Sequence, residues 1–167
     1  MAIPKNVLFL CTGNSARSVL AECLLRRLGE PDGIASYSAG SHPKDAPHPQ
    51  TLALLEAKGY DTSDLRSKSW DEFAAEGAPP IDLVITVCDS ARDETCPIWP
   101  HGPIATHWGI PDPAAAQGSE AEIARAFEAA YAAMERRIER FLALPRRLTG
   151  NDLERELHAI GNETDEG

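Results

Sequence analysis

Hydrophobic positions along this chain fall into short unbroken runs that alternate with stretches in which they recur at helical spacing. Residues 6–11 (NVLFLC) form such a run, the pattern of a strand buried on both faces. A helix is predicted from about Ala16 to Leu28, stopping at Gly29, and residues 33–40 (GIASYSAG) suggest a second, weaker strand. A further helix is expected from about Pro49 to Lys58, with Gly59 as its C-terminal stop. Residues 81–88 (IDLVITVC) read as the strongest strand after the first, and residues 105–108 (ATHW) as a short fourth. Ser119 and Glu122 have capping-box spacing ahead of a long apolar stripe running from Ile123 through Phe127, Tyr131, Met134 and Ile138 to Phe141 and Leu142; Pro145 ends it. Alternating strands and helices imply a small doubly wound α/β domain, a mainly four-stranded parallel sheet with helices on both faces. The division expected is a domain over residues 1–145, then a short helical extension and disordered tail over 146–167, with a helix at 151–160.

Composition narrows what such a domain can do. The chain has 167 residues, 43% hydrophobic and 25% charged, which suits one globular core. Sixteen basic against twenty-six acidic residues leave a net charge of −10, which argues against nucleic acid and against anionic membranes. An anionic substrate would therefore need a local positive pocket. No apolar run approaches the roughly 18 residues of a membrane span, and the N-terminus has no signal-peptide pattern. A cytoplasmic location is expected, so Cys11, Cys23, Cys88 and Cys96 read as catalytic, redox or buried rather than as a disulfide framework.

The chemistry concentrates at Cys11. In doubly wound sheets ligands sit at the carboxyl ends of strands, where Cys11 falls, and the turn CTGNSAR leads from it into a helix. Wrapping Cys-x5-Arg around an anion directs backbone N–H groups of Thr12, Gly13, Asn14, Ser15, Ala16 and Arg17 into a nest at the positive end of that helix. Gly13 and Asn14 tolerate the backbone angles this needs. Arg17 offers a planar fork for two anion oxygens, and Ser18 a hydroxyl for the cysteine sulfur. The same surroundings should lower the Cys11 pKa and make it a nucleophile at neutral pH. The Gly-Lys-Ser/Thr ending of an ATP-binding loop is missing.

VLFLCTGNSARS resembles the signature of the low-molecular-weight protein tyrosine phosphatase fold and, within it, the thiol-dependent arsenate reductases. YSAGSHP, GYDTSDLRSKS, VITVCDSARDETCP and HWGIPDPAA resemble further segments of that family, so the similarity runs from residue 6 to about residue 143. Cys88 ends the third major strand, on the same rim as Cys11, and Cys96 follows eight residues later across a polar segment. That layout suits a relay in which Cys11 attacks the anion, Cys88 attacks the adduct and Cys96 takes over the disulfide. The alternative for Cys88 is a small buried hydrophobe; for Cys23, on the apolar face of the first helix, core packing is the preferred reading. The resemblance implies arsenate as substrate, arsenite as product and a final Cys88–Cys96 disulfide. It also carries the general-acid role to Asp112 in the Pro-Asp-Pro loop. Ala114 and Ala115 stand where the tyrosine phosphatases have aromatic residues, which favours a small inorganic oxyanion.

Some arsenate reductases of this type bind potassium beside the anion loop, at positions matching Asn14, Glu22, Ser38 and Lys68. Lys68 replaces an acid there, so its ammonium could stand in for the metal, and neither a potassium requirement nor another metal site is expected. No bound cofactor is expected either. An external thiol reductant would close the cycle, thioredoxin or glutathione with glutaredoxin. The rival readings are a low-molecular-weight phosphatase working through a Cys11 phospho-enzyme and an oxyanion sensor without turnover. His107, near the rim, is left outside the chemistry.

Overall fold

The computed structural model describes residues 4–89, 91 and 102–162. Four strands form a single parallel sheet: β1 (Asn6–Cys11), β2 (Ala35–Gly40), β3 (Leu83–Thr86) and β4 (Ile104–His107), in the order β2-β1-β3-β4. The doubly wound expectation is met, with β1 and β3 at the centre. Register brings Cys11 opposite Gly40, Leu10 opposite Thr86 and Thr86 opposite His107, so all four strand ends open onto one rim.

Strand alternation divides the core in two. Val7, Phe9 and Cys11 face a large cluster built from α1 (Arg17–Leu28), α4 (Glu120–Leu142) and α5 (Gly150–Gly161). Leu8 and Leu10 face a smaller one with Ala39, Ile81, Val84 and Phe73, the last from the four-residue helix α3 (Asp71–Ala74). Among the described residues α3 is the helical cover of that second face, and nothing in the periodicity announces so short an element. The helix α2 (Pro49–Ala57) begins where His48 Nδ1 accepts from Gln50 N–H.

Helix ends follow their local chemistry. Ser119 and Glu122 form the predicted capping box, Ser119 Oγ accepting from Glu122 N–H at 3.1 Å and Glu122 Oε1 accepting from Ser119 N–H at 3.2 Å. By contrast α1 has no side-chain cap. Its first N–H groups are left for another acceptor, which is what an anion loop requires.

The predicted helix near 151–160 is α5, and it is embedded in the main core. Leu153, Leu157 and Ile160 are buried there, and Trp108 Nε1 donates to Leu157 O at 3.0 Å. Trp108 itself is fully buried between Phe9 and Phe141. Cys23 is buried on the inner face of α1, and burial pushes its thiol up to about 12, as suits a packing residue. No helix among the described residues is long and apolar enough to cross a membrane.

Candidate active site

The loop after β1 is held from behind. Asn14 adopts the left-handed conformation (φ 48°) and is fully buried. Its Nδ2 donates to Ser18 Oγ and Ser38 Oγ, both at 2.9 Å, and its Oδ1 accepts from Lys68 N–H at 2.9 Å. Ser67 Oγ donates to Asn14 O at 2.6 Å. Neighbouring segments bind the remaining carbonyls: His42 N–H donates to Thr12 O, Lys44 N–H to Gly13 O and His48 N–H to Ser15 O. The loop lies so close to β2 that a Cβ on Gly40 would come within 2.5 Å of Thr12 O.

These constraints shape a pocket of about 190 Å³ lined by Cys11, Thr12, Gly13, Ser15, Ala16 and Arg17, with His42, Lys44, Asp112 and Ala114 at its walls. Asn14 and Ser18 belong to the scaffold behind it, their side chains bonded to one another. Arg17 Nη1 donates to Ile110 O at 3.1 Å, and Nη2 lies 3.7 Å from Asp112 Oδ2. Its Nε is buried with no hydrogen-bond partner among the described residues, an open donor where an anion oxygen fits. Asp112 Oδ1 accepts from Ala114 N–H at 2.9 Å, so the Pro-Asp-Pro loop is fixed with one carboxyl edge toward Arg17. The contribution of His42 and Lys44 follows from register. Gly40 pairs with Cys11, so the residues just after Gly40 lie beside the loop, a consequence visible only once the strand order is known.

Cys88 lies just beyond β3 and is buried against Cys11. The Cys11 thiol donates a hydrogen bond to the Cys88 sulfur, which holds Cys11 protonated; burial adds to this, while Arg17 and the Gly13 N–H pull the other way. Cys88 is drawn down to about 5, first by that bond and then by the N–H of Ala91 and the Thr12 side chain, against the cost of burial. Ala91 N–H lies 3.4 Å and Thr12 Oγ1 3.6 Å from its sulfur. The surroundings of the pair therefore favour a negative charge on Cys88 over one on Cys11, against what the loop alone suggests. Two adjacent sulfurs cannot both ionise cheaply, and Cys88 has more donors around it. Cys96 lies outside the described residues.

The four positions Asn14, Glu22, Ser38 and Lys68, grouped above by the resemblance, do converge. Lys68 Nζ donates to Ser38 O at 2.9 Å and to Arg66 O at 3.1 Å, and lies 3.8 Å from Glu22 Oε1. Glu22 also accepts from Ser38 Oγ and Arg26. Burial depresses the Lys68 pKa and the Glu22 carboxylate opposes that. These residues do not fit an added cation, because the ammonium already occupies the oxygens that would hold it. Among the described residues no cluster of three or more acidic, histidine or cysteine side chains could hold a metal ion.

A buried cysteine at the head of an arginine-bearing loop with an open pocket, on a parallel four-stranded sheet, is an arrangement able to seat a tetrahedral oxyanion against a thiol. The profile of the low molecular weight phosphotyrosine protein phosphatases matches residues 6–158, and the chain belongs to that family. It is 37% identical to an arsenate reductase of Bacillus licheniformis over 138 residues, 82% of this chain and 94% of that protein. It is 40% identical to an arsenate reductase of Bacillus subtilis over 119 residues, 71% of this chain and 81% of that protein. Among solved structures it resembles a thioredoxin-dependent arsenate reductase of Corynebacterium glutamicum, with a TM-score of 0.59 and 25% identity. That match covers 84% of this chain and 63% of the other.

Proposed function

We propose that this chain is a cytoplasmic arsenate reductase in which Cys11 is the nucleophile, Cys88 the second thiol and Cys96 the third. The observation that carries the reading is a second buried thiol, Cys88, whose sulfur lies 3.6 Å from Thr12 Oγ1 of the oxyanion loop and interacts with the Cys11 thiol, where phosphate-ester hydrolysis would need only one sulfur. Arsenate enters the loop and pairs with Arg17, including its open Nε–H. The proton shared by the two thiols crosses to Cys88, leaving the charge on Cys11 beside Arg17. Cys11 sulfur then bonds to arsenic, and Asp112, acting as general acid, delivers a proton to the departing oxygen, which leaves as water.

Cys88 passes its proton to an oxygen of the arsenic adduct and, as the thiolate, attacks the Cys11 sulfur. A Cys11–Cys88 bond forms, the sulfur–arsenic bond breaks with its electron pair going to arsenic, and arsenic(V) leaves as arsenite. Cys96 thiolate next attacks Cys88, freeing Cys11 and leaving a Cys88–Cys96 disulfide for an external dithiol to reduce. A thioredoxin-like donor suits a relay that ends in an intramolecular disulfide; glutathione with glutaredoxin is the alternative. Coupled NADPH oxidation separates the cases. Arsenate-dependent turnover with thioredoxin and its reductase, lost in both Cys88→Ser and Cys96→Ser, supports the relay. Turnover only with glutathione and glutaredoxin, unaffected by Cys96→Ser, removes Cys96 from it. Hydrolysis of a phenyl phosphate with no arsenate reduction replaces the reductase reading with a phosphatase.

A further inference from the structure

A single histidine in HWG carries no chemistry by its sequence context, but the sheet gives His107 two partners, one of them the residue that follows Cys88. It ends β4, in register with Thr86 at the end of β3. Its Nδ1 lies 2.8 Å from Thr86 Oγ1 and its Nε2 lies 2.9 Å from Asp89 Oδ1. Because a carboxylate only accepts, Nε2 carries the proton, and in the neutral ring Nδ1 accepts from the threonine hydroxyl. Asp89 immediately follows Cys88, and Asp89 and Ala91 have helical backbone. The other side of Cys88 is fixed by the sheet, with Val87 N–H donating to Leu10 O and Ile110 N–H to Val87 O. Gly109 completes the arrangement, since a Cβ there would lie 2.6 Å from His107 Nε2 and 3.2 Å from Asp89 Oδ1.

We propose that His107 is a positioning residue for Cys88: through Asp89 it holds the turn whose Ala91 N–H supports the Cys88 sulfur in its charged form. The inference rests on Cys88 being the second nucleophile and adds the residue that aims it. Without the His107 bond, Asp89 loses a tether to the sheet, and the 3.4 Å approach of Ala91 N–H to sulfur loses its support. The titratable groups around the sulfur pair are Arg17, His42, Lys44 and Asp112 on the pocket side and Asp89 and His107 on the rim. Asp89 is itself negative and close to Cys88, so removing it would change charge and position together. Substitution of His107 isolates the position.

The test uses the full chain with Cys88 as its sole cysteine (Cys11→Ser, Cys23→Ala, Cys96→Ser), following ultraviolet thiolate absorbance against pH. In that background His107→Gln keeps an N–H that can reach Asp89, whereas His107→Asn keeps only the reach to Thr86. The expected result is a thiolate midpoint raised by about half a unit to one unit in His107→Asn, a ~3–10-fold change, with His107→Gln close to the parent. In the otherwise native enzyme, His107→Asn should lower kcat for arsenate by a similar factor and leave its KM unchanged. Equal midpoints in parent, Asn and Gln proteins overturn the proposal, as does an equal shift in both variants. Should either histidine variant fail to fold, Gly109→Ala wedges the same pair apart without altering its side chains; it should raise the midpoint, and an unmoved midpoint contradicts the tether. Absence of arsenate reduction in the wild type, with the shift still present, would sink the reductase reading and leave the tether standing.

Discussion

Asn14 shows how one residue can set a site without touching its ligand. Its amide joins Ser18, Ser38 and the Lys68 backbone, and its left-handed backbone turns the loop so that Arg17 and Cys11 face one pocket. The same economy holds for Lys68, whose buried ammonium binds oxygens around Glu22. Exchanging sodium for potassium should leave the melting temperature unchanged, while Lys68→Gln should cost on the order of 2 kcal/mol by removing one charged partner from a buried carboxylate that keeps Ser38 and Arg26. Differential scanning calorimetry in both salts checks this. The sulfur pair supplies a prediction of sign. Because Cys88 is drawn down to about 5, ultraviolet thiolate absorbance should persist at neutral pH and fall as pH drops through about 5. Cys11, Arg17 and the loop between them were legible in the sequence because a cysteine-to-arginine spacing fixes its own local geometry. The distribution of charge between Cys11 and Cys88 was not, because it depends on a contact across 77 positions that only strand order creates.

At the scale of elements, the site is made where strand ends meet helix starts. The uncapped start of α1, the end of β2 at Gly40 and the turn after β3 all converge on the Cys11 loop. Gly40→Ala should displace the loop, since its Cβ would meet Thr12 O at 2.5 Å and Asn14 N at 3.0 Å. Oxyanion affinity should then fall at least ~10-fold with the sheet intact, measured by calorimetric titration with phosphate or arsenate beside a circular dichroism spectrum. Long periodic elements such as α4 and its capping box are readable from spacing alone. The short α3 is not, because four residues hold barely one helical turn and are placed by Phe73 seeking the smaller core. The roles of His42 and Lys44 at the pocket wall were hidden for a related reason: their backbones pair with the loop, and pairing is a property of the fold.

Across the whole molecule, the C-terminal helix ties the sheet's far edge to its rim. Leu157 is fully buried, its carbonyl accepts from Trp108, and His158 Nδ1 lies 2.7 Å from Thr106 Oγ1 on β4. The sequence places this helix in an extension, yet its apolar residues join the principal core. Leu157→Ala should therefore destabilise the protein by about 2–4 kcal/mol in urea unfolding followed by tryptophan fluorescence. Globally the protein carries a charge of −10, whereas its pocket presents Arg17 and Lys44, so the local cations must overcome the distant field to admit an oxyanion. The most direct test of the central claim is a single turnover of fully reduced protein with arsenate and no external donor, counting arsenite against protein. About one equivalent should appear with the wild type and with Cys96→Ser, and essentially none with Cys88→Ser. Arsenite released equally by Cys88→Ser would contradict the account, since the sulfur beside Cys11 would then have no part in the transfer of electrons to arsenic.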